Sequence, residues 1–338
     1  MPSLPHFAAP VGYHALRGSV AWLDPGPRLS VVVGGDEAAK FVDGFTTAAV
    51  ARLAAGAGVE SFFTDSRGHV LSWATILRTS DGVWIEAEPS LGWSLAAHLE
   101  RYHIREKLEI VDCSARFAAL ILAGPAAAEW LAARYRGPLP ATPLGHDGAS
   151  ALGLAAGRLE GDCGGVRSAV VRGEWAGPDS FLVRVAAAER ERLVELFQAA
   201  GLPEADAAAI DAVRREQGRP GVADIPPKTL PQELHRNAEA ISFTKGCYLG
   251  QETVARLDAL GHVNRRFVGV VAAEELRVGA EVISSGEPGR VVGTLTSAGP
   301  SPLLGGWLGL GLIRTGSLSE GSEFLVDGVV ARWVTLPV

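Results

Sequence analysis

Ser242-Phe243-Thr244-Lys245-Gly246-Cys247-Tyr248-Leu249-Gly250-Gln251-Glu252 is the stretch on which the reading of this chain turns. Gly246 and Gly250 bracket a compact turn, where a backbone without Cβ can bend sharply or approach a ligand closely. If the chain is extended here, Lys245 and Cys247 point to the same side. An ammonium beside a thiol favours the thiolate, and each unit of pKa lowering corresponds to about 1.4 kcal/mol. Gln251 and Glu252 add an amide and a carboxylate within one turn. Two readings are open on these residues. One is a reactive or ligand-facing cluster in which Lys245 assists Cys247; the other is an inert cysteine buried in a tight turn, beside a solvated lysine.

Working outward, 338 residues suit two or three domains, and 47% hydrophobic against 20% charged residues suits a packed core. A net charge of -7 gives no reason to expect direct nucleic-acid binding, which usually needs a basic face. Cys113, Cys163 and Cys247 are too few and too scattered for a disulfide framework, so reduced thiols in a cytoplasmic protein are expected. Three separated cysteines also cannot supply the four thiolates of an iron–sulfur cluster, and no H-E-x-x-H spacing occurs, so no stably bound metal is expected. Residues 1–13 do not read as a targeting segment, and no apolar run is long enough to span a membrane.

Strands and helices alternate irregularly through the first three quarters of the chain, the pattern of an α+β fold. Strands are expected at 29–33, 61–64, 69–77, 83–88, 117–122 and 180–185. Asp36 is placed to cap a short helix carrying Phe41 and Val42, and Ser90 to cap one carrying Leu91, Leu95, Leu99 and Tyr102. Pro125 stands before a helix with Trp130 and Leu131, residues 135–157 read as a connection, and 205–217 reads as a helix. After Asn264 the style changes. Six strand-like runs, at 267–271, 281–283, 290–296, 307–313, 323–326 and 329–335, are separated by glycine-rich turns, which predicts a small closed or sandwiched β-unit. The boundary falls between residues 262 and 263.

Lys245-Gly246-Cys247-Tyr248-x-Gly250-Gln251-Glu252 resembles the signature of the YgfZ-type folate-binding proteins. These are relatives of the glycine-cleavage T-protein and of the mitochondrial factor that assists iron–sulfur assembly. Further segments are similar in the same order. They are Gly35-Asp36 with residues 41–50, the glycine turn at 65–71, residues 102–112, Arg215-Glu216-Gln217-Gly218-Arg219-Pro220 with Asp224 and Pro231, and residues 291–302. The resemblance implies a multi-unit GcvT/YgfZ-like fold around a central channel that takes tetrahydrofolate. Two interleaved α+β units then cover 1–262 and a C-terminal β-barrel covers 263–338. Apolar walls suit the pterin and aminobenzoate rings, and basic residues suit the glutamate tail. Arg215 and Arg219, beside Arg214, are the candidates for that tail; the alternative is an ordinary solvated helix end, where arginine is favoured by the helix dipole.

The chain departs from the T-protein pattern. Pro178 stands where that branch carries a pterin-holding glutamate, and Ala49 stands where an aspartate is usual. Neither replacement offers a carboxylate acceptor. Ile210 stands where some bacterial members have a tryptophan, which removes a stacking surface. The resemblance therefore implies a tetrahydrofolate-binding accessory factor for iron–sulfur enzymes, including tRNA-modifying ones, rather than a typical aminomethyltransferase. Its partners would be folate and client enzymes. Cys247 and Lys245 would be the working pair, framed by Gly246, Tyr248, Gly250, Gln251 and Glu252. A tetrahydrofolate-dependent aminomethyltransferase, and a scaffold that has lost folate, are the alternatives.

Overall fold

Strand Gly82–Ala87 is buried on both faces, and its alternate residues serve two different environments. Val83, Ile85 and Ala87 enter an apolar cluster with Val31, Val33, Phe41, Val42, Phe63, Leu95 and Leu99. Trp84 and Glu86 face the other way. The strand belongs to a five-stranded antiparallel sheet in the order Gly58–Thr64, Val70–Arg78, Gly82–Ala87, Leu29–Gly34, Glu109–Asp112. Helices Ala38–Asp43 and Leu95–Glu100 supply the other side of the apolar cluster. The computed structural model describes residues 8–89, 94–148, 150–156, 158–287, 289–319 and 321–338.

A second antiparallel sheet has six strands, in the order Ala21–Leu23, Phe117–Ala123, Ser180–Ala186, Val166–Gly173, Gly161–Cys163, Tyr135–Arg136. Leu120, Leu122, Val170, Phe181 and Val183 pack with Leu131 and Phe197 of helices Ala127–Ala132 and Arg190–Ala199. The two sheets meet through an ion pair. Arg184, on strand Ser180–Ala186, bonds Glu86, and both side chains are buried. The guanidinium lies over the Trp84 ring at 4.8 Å and the Phe117 ring at 5.5 Å. Trp84 Nε1 donates to Glu86 Oε1 at 2.5 Å and to Ser30 Oγ at 3.1 Å, and Arg28 Nε stands 3.7 Å from Glu86 Oε2. A carboxylate out of water needs this company, because an isolated buried charge is very costly.

These sheets, with residues His14–Ala205 and Asn237–Glu252, form one of two compact units. The other unit contains a closed six-stranded barrel in the order Arg265–Ala272, Gly306–Arg314, Val291–Ser301, Glu281–Ser284, Glu323–Val326, Val329–Val334. The barrel starts at Arg265, but its compact unit reaches back to Thr253 and takes in Asp206–Arg236 and the described residues up to Tyr13. Helix Ala207–Glu216 is capped by Asp206, whose side chain accepts from Ala209 N. Its last turn is tied to barrel strand Val291–Ser301: Arg214 Nη2 donates to Ser297 Oγ at 2.8 Å, and Ser301 Oγ donates to Glu216 Oε1 at 2.7 Å.

Some local expectations are corrected. Helix Ala38–Asp43 has Glu37, not Asp36, at its N-cap, with no side-chain bond there. Ser94 caps helix Leu95–Glu100 by accepting from Ala97 N, while Ser90 and Leu91 lie outside the described residues. The segment read as a connection holds strand Tyr135–Arg136 and helix Ala151–Ala155. That helix is capped from far away in sequence, by Asp81, which accepts from Ala151 N at 2.7 Å and Ser150 Oγ at 2.6 Å. Ser150, directly before the helix, adds the local cap, its Oγ accepting from Gly153 N at 3.0 Å.

Glu86→Ala leaves Arg184 buried and unpaired, and it should lower the free energy of urea unfolding by about 3–5 kcal/mol. Glu86→Leu combined with Arg184→Met should cost clearly less than the single substitution. A single-variant loss under about 1 kcal/mol would show that the pair does not join the sheets.

Candidate functional site

The backbone bends at Lys245, so Lys245 and Cys247 do not share one side of an extended strand. The Lys245 side chain enters the interior and is only 1% exposed. Its Nζ donates to the carbonyl oxygens of Asp43 at 2.6 Å, Thr46 at 2.7 Å and Ala48 at 2.8 Å, with Asp43 Oδ1 at 3.2 Å. An ammonium has three N–H donors, and three carbonyls engage them. Tyr248, also buried, sets its ring 5.1 Å from Nζ. Burial pushes the ammonium down to about 8, and the neighbouring Asp43 carboxylate acts in the opposite sense, so the charged form prevails at neutral pH.

Cys247, by contrast, is exposed. It rides on a loop fastened at several points. Ser242 N donates to Thr47 O at 2.8 Å, and Leu249 N donates to Gly44 O at 2.9 Å. Thr64 Oγ1 donates to Leu249 O at 2.5 Å. Arg52 reaches Thr244 through Oγ1 at 3.2 Å and the carbonyl at 2.8 Å. Gly250 adopts φ +84°, and a Cβ there would meet Asp65 O at 2.3 Å and Gly68 Cα at 2.9 Å. Only glycine allows this turn to lie on the hairpin at residues 65–68. Gln251 and Glu252 then open helix Gln251–Leu260, where the Glu252 carboxylate suits the positive end of the helix dipole. Gly246 is exposed beside Cys247.

The other thiols differ. Cys113 and Cys163 are buried, and burial pushes both thiols up, Cys163 to about 11. They are core side chains; Cys247 alone among the three is presented to solvent.

Residues 8–238 match the GCVT N-terminal domain, and residues 265–335 match the glycine cleavage T-protein C-terminal barrel domain. The chain belongs to the glycine cleavage T-protein family. Within it, the chain is 33% identical over 243 residues to the tRNA-modifying protein YgfZ of Edwardsiella ictaluri, covering 70% of this chain and 66% of that one. It is 35% identical over 131 residues to the mitochondrial iron-sulfur cluster assembly factor IBA57 of Mus musculus, covering 36% of each. A putative chloroplastic transferase of Arabidopsis thaliana is 25% identical over 309 residues, 89% of this chain and 67% of its own length. The chain thus spans about two thirds of the plant and Edwardsiella relatives and about a third of the mouse one. The glycine cleavage system aminomethyltransferase T of Bartonella henselae shares the fold, with TM-score 0.77 and 19% identity over 96% of this chain and 88% of that one. No helix among the described residues is long and apolar enough to cross a membrane.

Against this family background, Arg215, one of the arginines expected at a folate tail, is engaged within the protein. Arg215 is 4% exposed, so it is not a solvated helix end. Its guanidinium bonds the Asp211 carboxylate and donates to Pro300 O at 3.1 Å, packed against Gly299 of the barrel strand. Arg214 is engaged by Asp211, Asp224 and Ser297. Arg219 is half-buried, and its carbonyl accepts from Arg214 Nη1 at 2.8 Å. A guanidinium already bonded to a carboxylate and a carbonyl is a structural tie between helix and barrel, not a waiting cation. Pro178 is exposed and Ile210 is half-buried.

The sequence reading missed Asp43, Thr46 and Ala48. Two of the three act only through backbone oxygen, which leaves no signature in residue type. Iodoacetamide should alkylate Cys247 in the native protein and leave Cys113 and Cys163 unmodified until denaturant is added, as read by peptide mass spectrometry. Gly250→Ala should lose roughly 1–3 kcal/mol of stability through its left-handed backbone alone. An unchanged midpoint in urea would contradict the constraint on that turn.

Proposed function

We propose that this protein is a tetrahydrofolate-binding accessory factor that supports iron–sulfur enzymes, including enzymes that modify tRNA, and that Cys247 is its working group. The observation that carries the reading is the placement of Cys247. One thiol is exposed on a loop fixed from beneath by Lys245, Leu249 and Gly250, while the other two thiols are sealed in cores. A fixed, exposed thiol suits thiol chemistry or a contact with a client protein. Similarity to the YgfZ and IBA57 proteins supports the iron–sulfur and tRNA side of the reading. Family membership supports folate, while Arg215 is engaged by Asp211 and Pro300. The three unpaired cysteines suit a reducing compartment such as the cytoplasm. The aminomethyltransferase alternative draws no support from Pro178 or Ala49, neither of which bears a carboxylate.

Cys247→Ser should abolish rescue of iron–sulfur enzyme activity in cells lacking the protein. Its stability should stay within about 0.5 kcal/mol of wild type, because the site is exposed. Isothermal titration should give saturable tetrahydrofolate binding in both proteins. Normal rescue by a folded Cys247→Ser protein overturns the role of the thiol; absent binding by folded wild type overturns the folate part.

A further inference from the structure

The turn after helix Ala38–Asp43 aims four oxygens at one point. They are the carbonyls of Asp43, Thr46 and Ala48, at 2.6, 2.7 and 2.8 Å from Lys245 Nζ, and Asp43 Oδ1 at 3.2 Å. The geometry has its own supports. Thr46 Oγ1 donates to Val42 O at 3.1 Å, and Asp43 Oδ1 accepts from Ala51 N at 3.0 Å. The Tyr248 ring closes another side. The Asp43 carbonyl ends the helix, at its negative pole, while those of Thr46 and Ala48 lie in the turn beyond it. Several carbonyl oxygens with one carboxylate form the oxygen set that replaces the hydration shell of a monovalent cation. The Lys245 ammonium stands where such an ion would sit.

We propose that the 43–48 turn is a monovalent-cation cradle, that the Lys245 ammonium is its tethered occupant, and that filling the cradle is what holds the motif loop, and Cys247 with it, in place. Lys245 is then a positioning residue. Its ammonium faces away from solvent while Cys247 faces it, and its three N–H bonds end on carbonyls rather than on sulfur. The consequence for Cys247 rests on the functional reading above; the cradle itself does not.

Lys245→Met tests this, because methionine keeps the apolar stem and lacks only the terminal nitrogen, leaving a space the size of an ammonium or potassium ion. The Leu249 and Ser242 amides, which bond Gly44 and Thr47, report the docking of the loop. In Lys245→Met their hydrogen exchange should accelerate roughly ten- to hundredfold, a net loss equal to about one of the three charge-assisted bonds, the lysine desolvation that is relieved offsetting the rest. Ammonium or potassium chloride should restore protection, and tetramethylammonium chloride at equal ionic strength should not. Unchanged exchange overturns the proposal, and so does a loosened loop that ammonium and tetramethylammonium affect equally. Should Lys245→Met fail to fold, the wild-type protein decides: nitrogen-detected NMR should show a slowly exchanging Lys245 ammonium coupled to the carbonyl carbons of residues 43, 46 and 48, and absence of those couplings overturns the cradle. Normal iron–sulfur rescue by Cys247→Ser would sink the functional reading and leave the cradle standing.

Discussion

A charge taken out of water must be met by partners, and the Lys245 ammonium is where this constraint has the widest reach. Four oxygens converge on it, three from the main chain of a single turn. To bring those carbonyls together the chain must leave helix Ala38–Asp43 in one particular way. The motif loop must then lie against that exit. The bonds from Leu249 to Gly44 and from Ser242 to Thr47 follow from this placement, as does the close approach of Gly250 to the hairpin at residues 65–68. The exposed position of Cys247 is the outcome at the far side of the same loop.

The same constraint recurs in places that have nothing to do with the thiol. Between the two sheets, Arg184 and Glu86 neutralise each other among Trp84, Phe117, Ser30 and Arg28. In the barrel-containing unit, Asp224 accepts from Arg214, Thr296, Ser297 and Gly221, and Glu216 accepts from Tyr13, Ser301 and Leu303. Such networks fix orientation more than they add net stability, because desolvation offsets most of the Coulombic gain. They explain why the arginines of helix Ala207–Glu216 are ties rather than ligands. A helix end rich in arginine reads as solvated or ligand-binding in sequence, yet here it is packed on a barrel strand with acceptors provided by residues 211, 224, 297 and 300.

Most of the framework was legible in the residues. The six barrel strands lie where β-rich runs between glycine turns place them, and the six strands expected in the other unit are found within a few residues of their ends, while Ala21–Leu23, Tyr135–Arg136, Gly161–Cys163 and Val166–Gly173 were not anticipated. Helix caps were less legible. Asp36 is a good capping residue that does not cap, because the helix starts one residue further on, and the start of helix Ala151–Ala155 is held by Asp81, seventy residues before Ala151, as well as by Ser150 beside it. Local residue type carries propensity, whereas these bonds are made across the fold. The inward direction of the Arg215 and Lys245 side chains was illegible for the same reason.

By itself the sequence determined the α+β class, a C-terminal unit of six short strands, closed or sandwiched, and the glycine-bracketed stretch from Lys245 to Glu252, because hydrophobic periodicity and glycine placement are local properties; the resemblance to a known family added the barrel. It also left open whether Cys247 is an inert core thiol or a presented one. Only the tertiary structure decided that Cys247 faces solvent, that Lys245 faces inward, and that Arg215 is committed to Asp211 and Pro300. The reason is physical. The direction of a charged side chain is set by where its acceptors are, and for Lys245 and Arg215 several acceptors are backbone oxygens positioned by chain far away in sequence.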